Sequence, residues 1–504
     1  MVGFQFGRRS MYKLIICVLL IISNGMFLSA NSTNRSKKLC RASYIYRYTL
    51  KDKNGSSFTL DHPSKWLSHK SIERRNRQGL ALDSTDLPVS SLYLRQLNQS
   101  IRELTRQHEG KVEAKVIGSS RWNNTVLVLS DDTLLLNRLA SLSFVKDSRK
   151  VWTSPDSTSK DHQKVKSHDI FNPWDSIGNE YYGNAKEQIE MLHGQRLHRI
   201  GFDGRGMTIA VLDEGFQNVD VIPSMQTIDV IGVHDFVYPN SRHFYRESDH
   251  GTKVLSVMAL KVPNVLVGTA PDARFWLLRC EDGQSEQPVE EDYWTMAAEF
   301  ADSAGVDIIN SSIGYHAYDD DAESYHQRAL DGRTALISRS ASMLARKGIV
   351  LVNSAGNTGM GPWKKIIFPA DAQDIITVGA VNSDLKNVPF SGVGPTQDGR
   401  VKPDVMALGS ATSVLSGRGT IVRDMGTSFS APIVAGLTAC LWQAFPTMRA
   451  IDIIDLVRKT GSNYTVPDNI YGYGIPNFWK AYMIGKSEMQ HGEKLRKTDI
   501  IRTQ

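Results

Sequence analysis

The sequence predicts an α/β protein: a doubly wound, mostly parallel sheet with helices on both faces, preceded by a small α+β domain. Three observations carry this. Beyond Asn184 the strand-like segments are continuous apolar runs, as strands buried on both faces require. Each run is followed by a segment of helical length and spacing. A polar stretch from Thr153 to Gly178, rich in Ser, Asp, Lys, Asn and Pro, separates this part from a shorter N-terminal part with a different pattern. At 504 residues, 41% of them hydrophobic, the chain can bury sizeable cores without disulfides.

Residues 1–30 read as a signal peptide: Arg8, Arg9 and Lys13 precede an apolar run from Leu14 to Ile22, and small residues lead to Ala30. Ser23, Asn24 and Gly25 stop the run short of the ~20 residues a spanning helix needs. Export to the periplasm or beyond the cell is expected, with no stable membrane span. Cys17 lies in this segment and Cys40 just after it, which leaves Cys280 and Cys440 and no disulfide framework.

Residues 31–150 form the α+β domain, with strands over Ser43 to Leu50 and Asn124 to Leu129 and helices over Ser90 to Gln107 and Asp132 to Leu142. This segment carries 22 basic and 11 acidic residues, net +11, whereas residues 151–504 carry 34 and 42, net −8. The basic residues are scattered, and an acidic partner lies on the same chain. Self-association of the two parts is therefore expected, and nucleic acid is not.

The linker spans 151–183 and the main domain 184–485, with a polar tail over 486–504. Strands are expected at Met207 to Leu212, Phe275 to Leu278, Val306 to Ile309, Ile349 to Val352 and Ile375 to Val381. Helices are expected at Glu291 to Ala304, Thr334 to Lys347 and Phe429 to Ala444. Chemistry in such sheets gathers at the carboxyl ends of the strands. The Gly201-x-x-Gly204-x-Gly206 stretch precedes a strand instead of following one, so it is a loop and not a nucleotide cradle.

Four short motifs carry chemistry. The first strand runs into Asp213-Glu214-Gly215, which alone is a common turn. Asp249-His250-Gly251-Thr252 sets an imidazole at a helix start, where its ordinary pKa of about 6.5 suits proton transfer. Asn353-Ser354-Ala355-Gly356-Asn357 ends another strand with a carboxamide that could serve an oxyanion. Gly426-Thr427-Ser428-Phe429-Ser430-Ala431-Pro432 opens a small-residue helix, with Ser428 at the positive end of its dipole and Pro432 in the first turn.

In this order the four blocks resemble the signature of the subtilisin-like serine peptidases, the subtilase family, over about residues 184 to 480. The chain order Asp, His, Ser is that of subtilisin. Val401-Lys-Pro-Asp-Val405 is similar to a further block, and the run through Gly268-Thr-Ala-Pro271 and Pro288-Val-Glu-Glu-Asp292 is similar to an exported bacterial branch. The resemblance implies a subtilisin-like sheet and a secreted endopeptidase acting on protein or peptide substrates through an acyl-enzyme. It implies Ser428 as nucleophile, His250 as general base, Asp213 as its orienting partner and Asn357 as oxyanion donor. Ser312, Ile313 and Gly314 would pair with substrate, and residues 31–150 would be a propeptide and intramolecular inhibitor of a self-processing zymogen.

Two positions depart from the family's pattern: Glu214 and Leu255 stand where small residues are usual. No cofactor is required for the chemistry. Calcium, which family members often bind, stays open, because Lys261 to Leu266 holds no cluster of oxygen ligands. The alternative reading is an inactive peptide-binding module on the same fold. If the enzyme reading holds, the acidic limb of its rate profile is expected near pH 6 to 7. Cutting is expected between Lys150 and Asn184, and inhibition by 31–150 should weaken as salt rises.

Overall fold

The long apolar runs become the strands of one parallel sheet. A computed structural model describes residues 42–107, 112–155 and 180–502; the expected signal peptide and most of the expected linker lie outside them. The N-terminal part runs β1 (Tyr44–Leu50), α1 (His69–Gln78), α2 (Ser91–Gln107), β2 (Ala114–Ser120), β3 (Thr125–Ser130), α3 (Thr133–Ala140) and β4 (Val145–Thr153). Its strands pair antiparallel in the order β2-β3-β1-β4. Alternation along β3 divides the labour of the two faces: Val126 and Val128 join Tyr48, Leu97 and Leu136 in a local core, whereas Leu127 joins Ile45 and Val151 in a core shared with the rest of the chain.

The larger part continues with α4 (Lys186–Glu190), α5 (Gly194–Arg199), β5 (Thr208–Asp213), β6 (Asp229–Asp235), α6 (His250–Ala259), a short hairpin of β7 (Lys261–Val262) and β8 (Leu266–Val267), β9 (Arg274–Arg279) and α7 (Val289–Ala304). Then follow β10 (Ile308–Ser311), α8 (Leu336–Ala341), β11 (Val350–Ser354), β12 (Ile376–Val381), β13 (Val405–Leu408), the hairpin β14 (Thr412–Leu415) and β15 (Ile421–Asp424), α9 (Thr427–Ala444), α10 (Ala450–Lys459) and α11 (Phe478–Arg502). Seven strands form a parallel sheet in the order β13-β12-β11-β10-β5-β9-β6. Both its faces are covered: Ile209 and Val211 of β5 pack in the core with α6 and α9, Ala210 and Leu212 in the core with α7 and α8.

Two strands were not indicated by the apolar runs. β6 is an edge strand that alternates exposed and half-buried residues, and β13 has four residues. The expected helix Thr334 to Lys347 is broken into α8 and a 3-10 turn, Ala345–Lys347. Hydroxyls compete with the helix there: Ser340 and Ser342 both donate to backbone carbonyls, Ser342 to Gly332 as well as to Ser338. From β5 the chain runs to the edge strand β6, returns through β9 between the two, then crosses to β10 on the other side of β5. The carboxyl ends of β5 and β10 therefore flank a switch point of the winding, where a crevice opens.

Candidate active site

Asp213 is the last residue of β5, and its side chain is fully buried. Its Oδ1 accepts the Glu214 backbone N–H at 2.9 Å and lies 2.7 Å from His250 Nδ1. A carboxylate only accepts, so Nδ1 holds the proton and Nε2 is left as the basic nitrogen. His250 is the first residue of α6. The helix comes this close because Gly251 has no side chain: a Cβ there would lie 2.4 Å from the Gly215 carbonyl oxygen and 3.0 Å from Asp213 Cβ. Burial pushes the imidazole pKa down, but contact with the Asp213 carboxylate, joined by Glu281 and Glu214, raises it to about 9. That is above the 6 to 7 expected from an ordinary histidine.

Ser428 is the second residue of α9, which follows Gly426 at φ 153°, a backbone that favours glycine. Pro432 is the sixth residue of this helix, deeper than the first turn expected from sequence. With no N–H to give, it leaves the Ser428 carbonyl without its helical donor. The Ser312 hydroxyl fills that gap at 2.8 Å, and the Ser428 hydroxyl donates in return to the Ser312 carbonyl at 3.0 Å. Among the described residues Ser428 forms no hydrogen bond with His250. The ring of Phe429, beside Ser428, stands 5.8 Å from the imidazole.

Asn357 lies just past β11. Its Oδ1 accepts both the Thr427 backbone N–H at 2.9 Å and the Thr427 hydroxyl at 3.0 Å. A backbone N–H must face the carboxamide oxygen, so Nδ2 is turned away from Thr427 and is free to serve the cavity that Asn357 lines. The Ser428 N–H sits in the first turn of α9, where no helical acceptor exists.

One cavity of ≈ 240 Å³ gathers His250, Ser428, Asn357, Ser312, Ile313 and Gly314, with Asp213 buried behind His250. All the residues singled out from sequence thus meet at one place. Two acidic residues that sequence reasoning did not assign to the site, Glu214 and Glu281, line the same cavity. Thr427 was also missed; its signal is its place beside Ser428.

The segment Lys261 to Leu266 is the β7–β8 hairpin, in which Lys261 is ion-paired with Asp272 and Asn264 is the one amide side chain. It does not fit calcium. Among the described residues no group of three or more His, Cys, Asp or Glu is arranged to hold a metal ion. Cys280 and Cys440 are buried and unpaired with each other.

Comparison with known proteins gives two family matches: the subtilase family over residues 204–474, and the peptidase S8 propeptide domain of Bacteroidota over residues 46–168. Subtilisin NAT of Bacillus subtilis subsp. natto is 30% identical over 311 residues, which is 61% of this chain and 74% of that protein. Subtilisin E of Bacillus subtilis strain 168 is 29% identical over the same length. A subtilisin of Bacillus pumilus is 29% identical over 297 residues, 58% of this chain and 97% of that protein.

Proposed function

The chain belongs to the subtilase family and is a serine-type endopeptidase with a propeptide domain, and on that premise we propose that Asp213, His250 and Ser428 are its catalytic triad. The observation that carries the reading is the 2.7 Å contact of Asp213 with His250 in a cavity shared with Ser428 at a helix N-terminus.

The chemistry follows from these positions. As a peptide carbonyl enters, the Ser428 hydroxyl turns from the Ser312 carbonyl to His250 Nε2, gives up its proton and attacks the carbonyl carbon. Charge develops on the carbonyl oxygen, where Asn357 Nδ2 and the Ser428 N–H donate to it. His250, protonated and steadied by the ionised Asp213, passes the proton to the leaving amine. Water, deprotonated by His250 in turn, then frees the acyl group from Ser428. Ser312, Ile313 and Gly314, which extend β10 past its last ladder pair, hold the substrate backbone as an added strand.

The wider reading is of a secreted, self-processing zymogen. Residues 1–30 act as the export signal and 31–150 as the intramolecular inhibitor. The chain cuts itself in 151–183 to release the catalytic domain, 184–485, with its tail, 486–504. A fluorophosphonate probe tests the core of this proposal: it should attach to Ser428 in wild type, mapped by peptide mass spectrometry, and not to Ser428→Ala. No labelling of a folded, processed wild type would favour the inactive peptide-binding module.

A further inference from the structure

The cavity that His250 lines has an acidic wall, and among the described residues no lysine or arginine lines it. Glu214 follows Asp213 directly, and Glu281 lies two residues past the end of β9. Both line the cavity that holds Ser428. Glu281 Oε2 is shut off from bulk water and has no hydrogen-bond partner among the described residues. Glu214 reaches the backbone of Gly283, where a Cβ would lie 1.9 Å from its Oε1.

Among the described residues neither glutamate is ion-paired with lysine or arginine. The nearby cation, Arg279, is committed elsewhere: its Nε donates to the Glu214 backbone carbonyl at 2.9 Å, its Nη1 lies 3.3 Å from Asp235 and 3.6 Å from Glu247, and it stacks on Tyr238. Behind the wall Glu286 adds a third carboxyl, pushed up to about 7 by burial and by Asp319 and Glu214. Burial, with repulsion from Glu286, Glu214 and Asp213, pushes Glu281 well above the usual carboxylate range; burial also raises Glu214, against a hydrogen bond with Ser248 that lowers it. A buried acidic group that lacks a partner costs stability, and a cation brought by a ligand removes that cost.

We propose that Glu214 and Glu281 form a subsite for a lysine or arginine side chain, carried by the substrate residue that lies against His250. This rests on the enzyme reading above and deepens it. Side chains of an extended substrate alternate in direction. Successive residues therefore face different parts of a cavity lined by Gly356 and Ile367 as well as by the two glutamates. The chain's own expected processing segment carries Lys160, Lys164 and Lys166, residues that such a subsite would accept.

The test compares two quenched fluorescent peptides that differ at one position next to the cut, lysine against glutamine, in processed wild-type enzyme and in Glu214→Gln, Glu281→Gln and the double variant. A proteome-derived peptide library fixes the position beforehand. The readout is the ratio of kcat/KM for the two peptides within one preparation, which cancels differences in folded fraction. Wild type should favour lysine by roughly tenfold to a hundredfold, the value of a charge-assisted hydrogen bond in a desolvated pocket. The double variant should bring the ratio to about one. An active wild type with no basic preference at any position, or a ratio unchanged in the double variant, would overturn the subsite while leaving the peptidase reading intact. A folded wild type that cleaves neither peptide and takes no fluorophosphonate would overturn both.

Discussion

Among single residues the imidazole of His250 governs how the site responds to pH. In the proposed triad it must be neutral to take the Ser428 proton, and its raised pKa means that a larger share is protonated at neutral pH. Activity should therefore climb as pH rises above 7, with the acidic limb of kcat/KM centred above the ordinary histidine value and toward 9. A limb near pH 4 would point to a carboxylate base instead. Asn357→Ala should lower kcat by roughly 10²–10³ with little change in KM if the amide serves as the proposed oxyanion donor, meeting charge that exists only in the transition state; steady-state kinetics on one peptide separates the two parameters. A change confined to KM would make Asn357 a turn residue.

The same residues show what the sequence discloses and what it hides. Asp213, His250, Asn357 and Ser428 announced themselves because each stands at the end of a strand or the start of a helix inside a motif. Glu281 did not, because Arg279-Cys-Glu-Asp-Gly283 reads as an ordinary strand end followed by a turn. Its approach to Glu214 depends on the pairing of β5 with β9 in register, Asp213 opposite Arg279, which is a tertiary fact. Nor does the sequence say that Ser312 answers the gap left by Pro432, 120 positions away.

At the scale of elements, α7 explains the acidic motif Pro288-Val-Glu-Glu-Asp292. The three carboxyls sit in its first turn, where the dipole favours them, and each has its own partner. Glu290 accepts the Asp282 and Gln287 N–H groups; Glu291 accepts the Tyr318 and Tyr325 hydroxyls and the Ile337 N–H. Asp292 accepts three hydrogen bonds from the Arg47 guanidinium of β1, at 2.8, 3.0 and 2.6 Å. At the far end of α7, Asp302 is ringed by Arg74 and Arg75 of α1 and by Arg121. Burial pushes the Asp302 carboxyl up, but the three arginines hold it well below the usual carboxylate range.

The two parts meet through buried pairs, Arg47 with Asp292 and Arg74, Arg75 and Arg121 with Asp302, which salt screens little, beside the more exposed pairs Lys70 and Arg77 with Asp307 and Arg149 with Glu323. Inhibition of the mature enzyme by added 31–150 should thus change by less than about threefold between low and high salt, in place of the marked weakening that surface attraction would give. Arg74→Ala in that segment leaves Asp302 short of a buried partner and should weaken inhibition by about a hundredfold or more. Inhibition constants at two ionic strengths check both statements. A strong salt effect with no effect of Arg74→Ala would return the interface to long-range attraction.

At the scale of the molecule, two cores flank one parallel sheet, a third lies under the small sheet, and the crevice opens where the winding reverses. The runs buried on both faces made the sheet legible in sequence, while β6 escaped notice because an edge strand keeps one side wet. As a zymogen, the wild-type chain should appear with a new N-terminus between Lys150 and Asn184, and Ser428→Ala should remain uncut there. N-terminal sequencing of both proteins decides it, and identical trimming would assign the cut to another protease.

The central claim is that Ser428 is the nucleophile, and the turnover of Ser428→Ala on a peptide that wild type cleaves tests it most directly, with matched circular dichroism to show an intact fold. Removal of the nucleophile should lower kcat on the order of a million-fold, to the residue that binding and the oxyanion donors sustain. Activity within about tenfold of wild type would contradict the account.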